Sequence, residues 1–324
     1  MMKEEQVRVI TLEEHFWTDA IRDANRQTWP SGQFAGVPEK LSDLGQRRLA
    51  DMDTAGIDVQ VLSVTAPATQ ELEPATAVAL ARDANDLLAG AVVAHPGRFA
   101  GFATLPTPDP DAAAEELART VTDLGFKGAM INGHTGGRFL DDRAYWPIFE
   151  RAEALGVPVY LHPTYPTAQV MEAYYAGFEA PVSATLATAG WGWHAETGLH
   201  ALRLVLGGVF DRFPGLQIII GHMGENIPFS LARADERLTP VATHLKRRVG
   251  EYFRENFYIT TSGYFTDPPL LCALMVLGAD RILFSVDYPF SSNEQGRAFL
   301  DRAPVSEADR EKIAHRNAER LLGV

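Results

Sequence analysis

Short apolar runs alternate with longer amphipathic stretches along the chain, and this rhythm predicts the architecture. Runs at Val7–Phe16, Asp58–Val64, Phe99–Leu105, Lys127–Asn132, Pro158–His162, Gln217–Gly221, Phe257–Thr261 and Arg281–Val286 are rich in β-branched and aromatic residues and read as buried strands. Helical periodicity fills the gaps: Leu41–Ala55 closed by Gly56, Glu73–Ala94, Asp109–Leu124 closed by Gly125, Arg143–Leu155 closed by Gly156, and further helices over about 195–213, 226–250, 268–277 and 307–322. Eight strands, each followed by a helix, predict a parallel sheet, and eight such units favour a closed (β/α)8 TIM barrel over an open doubly wound sheet. No glycine-rich phosphate fingerprint follows the first strand, which weakens a dinucleotide reading. Two irregular stretches, Trp17 to about Lys40 and Pro163 to about Gly192, are too long for simple connections, and the first reads as a lid loop inserted after strand 1. Nothing resembles a linker, so one domain over residues 1–324 is expected.

Composition narrows the partners. Apolar residues make up 46% of 324, enough for a large core, and 29 basic against 42 acidic residues give a net charge of −13. That balance argues against nucleic acid and anionic membranes and favours small molecules. The only cysteine, Cys272, lies in the apolar run Leu270–Met275, so a buried, inert thiol and a reducing compartment are expected. The polar start, Met-Met-Lys-Glu-Glu-Gln, does not read as a signal sequence, and no apolar run approaches the ~20 residues of a membrane span. A soluble cytoplasmic protein is the expectation.

Chemistry in such a barrel collects at the C-terminal ends of the strands. There the apolar runs are interrupted by Glu13 and His15, His162, His222 and Asp287. Side-chain alternation puts Glu13 and His15 on one face and turns Glu14 away. A lone histidine at a strand end is more often structural, but five ionisable groups at equivalent positions point to a site. Imidazoles and carboxylates suit Zn²⁺ or Mn²⁺, and a single cysteine removes thiolate-rich alternatives. In Gly221-His222-Met223-Gly224-Glu225, Glu225 is placed to orient His222 or share its proton, against the plainer reading of a turn that complements a helix dipole. Arg233 and Arg237, one turn apart, either meet a substrate carboxylate or form a solvated face. Trp191 and Trp193, with Phe16 and Trp17, either wall an aromatic pocket or pack the core. His95, His200, His244 and His315 read as structural, and His134, just after strand 4, is a weaker candidate.

Six segments carry a resemblance that runs nearly end to end: Leu12-Glu13-Glu14-His15-Phe16, Leu62-Ser63 with Ala66-Pro67-Ala68, Tyr160-Leu161-His162-Pro163, Ile220-Gly221-His222-Met223-Gly224-Glu225, Ile259-Thr260-Thr261-Ser262-Gly263, and Ile282 through Phe290. Through them the sequence resembles the metal-dependent, amidohydrolase-related decarboxylases, the group of γ-resorcylate, 2,3-dihydroxybenzoate, 5-carboxyvanillate and aminocarboxymuconate semialdehyde decarboxylases. The resemblance implies an amidohydrolase-type barrel, a homodimer or homotetramer, and one Zn²⁺ or Mn²⁺ per chain held by Glu13, His15, His162 and Asp287. It also implies a proton relay of His222 and Glu225. Glu-x-His on strand 1, where many amidohydrolases have His-x-His, looks like the decarboxylase branch. Against the γ-resorcylate enzymes, Tyr288 stands where Trp is common, and Trp193 and His194 replace Phe and Ala. The reaction expected is reversible, non-oxidative decarboxylation of an ortho-hydroxy aromatic acid, with Asp287 as acid and no organic cofactor. Phe16, Trp191, Trp193, Arg233 and Phe290 are the candidate substrate contacts. The alternative is hydrolysis of a lactone or amide at the same metal.

Overall fold

β-branched and aromatic runs become nine short parallel strands in a computed structural model that describes residues 7–26 and 36–324. They are β1 (Ile10–Phe16), β2 (Val59–Val64), β3 (Phe99–Gly101), β4 (Ala103–Thr104), β5 (Ala129–Asn132), β6 (Val159–His162), β7 (Ile218–Ile220), β8 (Phe257–Thr260) and β9 (Ile282–Leu283). The ninth arises because the expected third strand divides at Phe102. There β3 pairs with β2, while β4 pairs with β5 and continues the order through β9. Phe102 N donates to Leu62 O and Ala103 N to Gly128 O, so the chain steps from one ladder to the next within two residues.

Between β1 and β9 the seam is made differently. Leu12 N and Glu13 N both donate to Ser285 Oγ, at 3.1 and 2.6 Å, and His15 N donates to Tyr288 O at 2.7 Å. Ile10, Leu12, Val61, Phe102, Met130, Tyr160, Ile219, Tyr258 and Leu283 share one buried cluster, which requires a sheet curled on itself. Ala318, Leu321, Leu322 and Val324 close that cluster from below. A larger apolar cluster fills the layer between strands and helices.

Ile10 and Leu12 face the barrel interior, so strict alternation would carry Glu14 and Phe16 inward. The register prevents this. Thr11 pairs with Gln60 but Glu14 with Leu62, so three steps on β1 oppose two on β2. This bulge turns Glu13 and His15 to the interior, and the Ser285 hydroxyl accepts from the two buried amides there, Leu12 N and Glu13 N.

Several helices differ from expectation. The helix expected over 226–250 ends early, as Ile227–Leu238, and a separate helix, Val249–Asn256, follows the break; Pro240 has no amide with which to continue the first. A helix not anticipated, Asn293–Arg302, is capped by the Ser292 hydroxyl, which accepts from Gln295 N. The second irregular stretch contains the helix Ala180–Ala187. Of the first, residues 27–35 lie outside the described residues; helices Asp19–Ala24 and Val37–Leu41 flank them. Cys272 is half-buried rather than buried, because Leu270 and Ala273 take the inward face of helix Asp267–Leu277. No helix among the described residues is long and apolar enough to cross a membrane.

Candidate active site

Glu13, His15, His162 and Asp287 each present a ligand atom at the barrel mouth, all within 4.8 Å of one another. His162 Nε2 lies 3.2 Å from Glu13 Oε1, and His15 Nε2 lies 3.3 Å from Asp287 Oδ1. Glu13 Oε2 is held in place: it accepts hydrogen bonds from the hydroxyls of Tyr160 and Ser262, with Thr260 Oγ1 at 3.3 Å. Its other oxygen, Oε1, and both ring nitrogens of His15 are buried without a well-aligned hydrogen bond. Orphaned acceptors are costly inside a protein, and a cation is the partner that satisfies a carboxylate and an imidazole lone pair together. The set therefore fits a divalent ion.

Electrostatics agree. Burial and the neighbouring Glu13 push the Asp287 carboxyl up to about 7. Burial also raises Glu13, but His222, His162 and His15 outweigh it and hold that carboxyl below its ordinary range. Burial drives His15 down to about 4, which leaves a neutral ring with one nitrogen lone pair to offer. Burial opposes a charge on His222, yet Glu225 and Glu13 hold its imidazole up at about 10.

Backbone strain is concentrated here. Among the described residues, six non-glycines have left-handed φ values, and five are His222, Met223, Glu225, Asn226 and Asp287. Asp287 (φ 73°) is held by its neighbours: Glu14, turned away from the mouth, accepts from Val286 N at 2.9 Å and Tyr288 N at 3.0 Å. Gly221 has a steric role, because a Cβ there would come within 2.7 Å of Glu13 Oε2. The expected pairing of His222 with Glu225 is present at 2.7 Å (Nδ1 to Oε1), and His222 Nε2 faces Glu13 Oε1 at 3.6 Å and Asp287 Oδ2 at 3.9 Å.

Aromatic candidates divide. The Phe290 ring stands edge-on to His15 at 5.8 Å, and Trp193 to His162 at 6.4 Å. Phe16 does not reach the mouth: the bulge sends it into the layer under the helices. Trp191 is exposed at the start of helix Gly192–Leu206. Arg233 is on the solvent face of its helix, 3.3 Å from Glu236, so the solvated reading describes its place. Tyr160, Ser262, Glu14 and His194 were not singled out as site residues. Tyr160 was readable, since it lies two residues before His162 on the same face of β6. Asn132, opposite His162 in the ladder, has a buried Oδ1 without a partner.

A parallel α/β barrel with carboxylates and imidazoles converging at its mouth defines a metal-dependent amidohydrolase-type protein. Residues 15–324 match the amidohydrolase family model, and the chain belongs to that family. Within it, the chain is 42% identical over 326 residues to γ-resorcylate decarboxylase of Polaromonas sp. (strain JS666), covering 97% of this chain and 98% of the relative. It is similar to the crystal structure of the dihydroxybenzoic acid decarboxylase of Polaromonas sp. JS666 with bound manganese and the inhibitor 2-nitroresorcinol (TM-score 0.90, 41% identity, 98% of this chain and 97% of that one). It is also similar to 5-carboxyvanillate decarboxylase of Novosphingobium aromaticivorans complexed with manganese and 4-hydroxy-3-methoxy-5-nitrobenzoic acid (TM-score 0.92, 33% identity, 99% and 97%).

Proposed function

We propose that this protein catalyses reversible, non-oxidative decarboxylation of an ortho-hydroxy aromatic acid of the dihydroxybenzoate type. The observation that carries the reading is the cluster of Glu13, His15, His162 and Asp287, with unpartnered Oε1 and Nε2 atoms, beside His222. The relatives support the substrate class: both ligands named above carry a nitro group next to a phenol hydroxyl, where a carboxylate stands in the acid that each enzyme is named for. Glu13, His15, His162 and Asp287 would hold one Mn²⁺ or Zn²⁺. When bound, such an ion supplies a Lewis acid for a carboxylate and its neighbouring phenol oxygen.

The chain's own groups do the rest. Phe290 and Trp193 flank the ring, and Asn132 Oδ1 offers an acceptor to a ring hydroxyl. Asp287, in its protonated form, gives its proton to the ring carbon that bears the carboxylate. The C–C bond then breaks, its electron pair restores the aromatic ring, and CO₂ leaves. His222 Nε2, 3.9 Å away, returns a proton to Asp287, so each turnover consumes one proton.

The test is a panel of salicylate, 2,3- and 2,6-dihydroxybenzoate and 5-carboxyvanillate with manganese-loaded protein, following CO₂ and ring absorbance. Loss of one substrate with stoichiometric CO₂, abolished by a chelator, is expected. Metal-bound protein that releases CO₂ from none of them but opens a lactone would overturn the reading in favour of hydrolysis.

A further inference from the structure

One buried titratable side chain beside the mouth has no task in the scheme above. His194, in the first turn of helix Gly192–Leu206, is 5% exposed. Its Nδ1 lies 2.7 Å from Glu225 Oε2, and its Nε2 lies 3.1 Å from the carbonyl of Ala189. Glu225 is thus gripped at both oxygens by imidazoles, Oε1 by His222 and Oε2 by His194. The two rings stand edge-on 4.9 Å apart, and Tyr264 packs edge-on against His194 at 5.3 Å.

We infer that His194 is a positioning residue: it clamps Glu225 so that His222 keeps one ring orientation, with Nδ1–H toward Glu225 and Nε2 toward the mouth. The inference rests on the decarboxylase reading for its effect on turnover, but not for the clamp itself. The donor inventory supports it. A carbonyl only accepts, so His194 Nε2 carries a proton; a carboxylate and a bare nitrogen lone pair at 2.7 Å repel, so a proton also lies between Nδ1 and Oε2. A carboxylate bound at only one oxygen can rotate and present either oxygen, or neither, to His222. Held at the second oxygen by a ring fixed in turn to the Ala189 carbonyl, it cannot. The backbone adds to this constraint, because Glu225 is itself left-handed (φ 52°) and its carbonyl abuts Gly198, where a Cβ would come within 2.5 Å. An imidazole with one nitrogen pinned to a fixed partner presents its other nitrogen in one direction, ready for proton transfer.

Two variants and a spectrum test the inference. In His194→Asn the side-chain amide still donates to Glu225, so kcat is expected within about threefold of the parent; in His194→Leu the clamp is gone, and kcat is expected to fall about 10–100-fold with KM nearly unchanged. Ring-nitrogen NMR of [15N]histidine-labelled, zinc-loaded protein, which is diamagnetic, reads the hydrogen bonding of the His222 ring without turnover. His222 Nδ1 should give one sharp, hydrogen-bonded N–H signal in the parent and in His194→Asn, and a signal shifted or broadened by loss of that fixed hydrogen bond in His194→Leu. An unchanged His222 spectrum in His194→Leu overturns the inference, as does an Asn variant as impaired as the Leu variant. If the parent releases no CO₂ from any ortho-hydroxybenzoate, the substrate reading fails while the spectrum still decides the clamp.

Discussion

The two ends of the barrel are built from the same strands and obey opposite rules. At the floor, Ile10, Tyr258 and Leu283 meet Leu321 and Leu322, apolar groups packed on apolar groups, with no need for a fixed geometry beyond close contact. At the mouth, a few residues further along, Glu13, His15 and Asp287 sit among orphaned polar atoms and left-handed backbone. The two regimes meet within one residue of β1, between Leu12 and Glu13, and the bulge there makes the change possible. Cohesion can be distributed over many interchangeable contacts. A ligand set cannot, and each of its atoms depends on a particular neighbour.

Substitutions at each end sharpen that contrast. Glu13→Ala should have the largest effect: manganese measured by elemental analysis is expected to be absent and CO₂ release to fall to background, with the thermal transition retained. Gly221→Ala should come next, since the added Cβ meets the Glu13 carboxylate; a fall in metal affinity of about 10–100-fold, read by titration against a chelator, is expected. Ser285→Ala strips the acceptor from two buried amides and should cost about 1–3 kcal/mol in urea unfolding, with weakened metal binding because the bulge loses its tie. Leu322→Ala, at the floor, should cost about 2–3 kcal/mol yet leave metal content and turnover per folded molecule unchanged. A floor substitution that selectively removed metal would break the division.

Acid should expose a third effect, outside both ends. His200 is buried, accepts the Leu140 amide through Nε2 at 2.8 Å, and is pushed down by burial to about 3. Its unfolded form takes a proton near pH 6.5 while the folded form refuses it, so stability falls as pH drops through the window between 6.5 and about 3, by about 1.4 kcal/mol per unit at most. In His200→Gln that contribution to the slope of unfolding free energy against pH should vanish.

Most of the barrel was legible because strand runs and helix caps are local signals: Gly56 and Gly156 end their helices in left-handed conformations, as a glycine after an amphipathic run implies. The strand ends that carry Glu13, His15, His162, His222 and Asp287 were legible for the same reason. What escaped was non-local. Alternation from Glu13 to His15 gave the right face for those two residues, but no local pattern shows that Leu12 also faces inward; that depends on a serine 273 residues away from it. Trp191 and Phe16 looked like pocket walls because aromatic character does not report direction. His194 stands out in the sequence only as a departure, since its partner Glu225 is brought to it by folding. Helix Asn293–Arg302 is a different kind of omission, for Ser292 followed by Gln295 is a local capping signal.

The seam between the first and last strands also bears on how the chain is made. Residues 7–16 leave the ribosome well before Ser285, yet the amides of Leu12 and Glu13 find their acceptor only when Ser285 has emerged. Until then β1 has β2 on one side and an unpaired edge on the other, with two carboxylates and an imidazole already in place. A nascent barrel of this design must keep an adhesive edge quiet while the chain between β1 and Ser285 is made, and the charged end of β1 is a means of doing so.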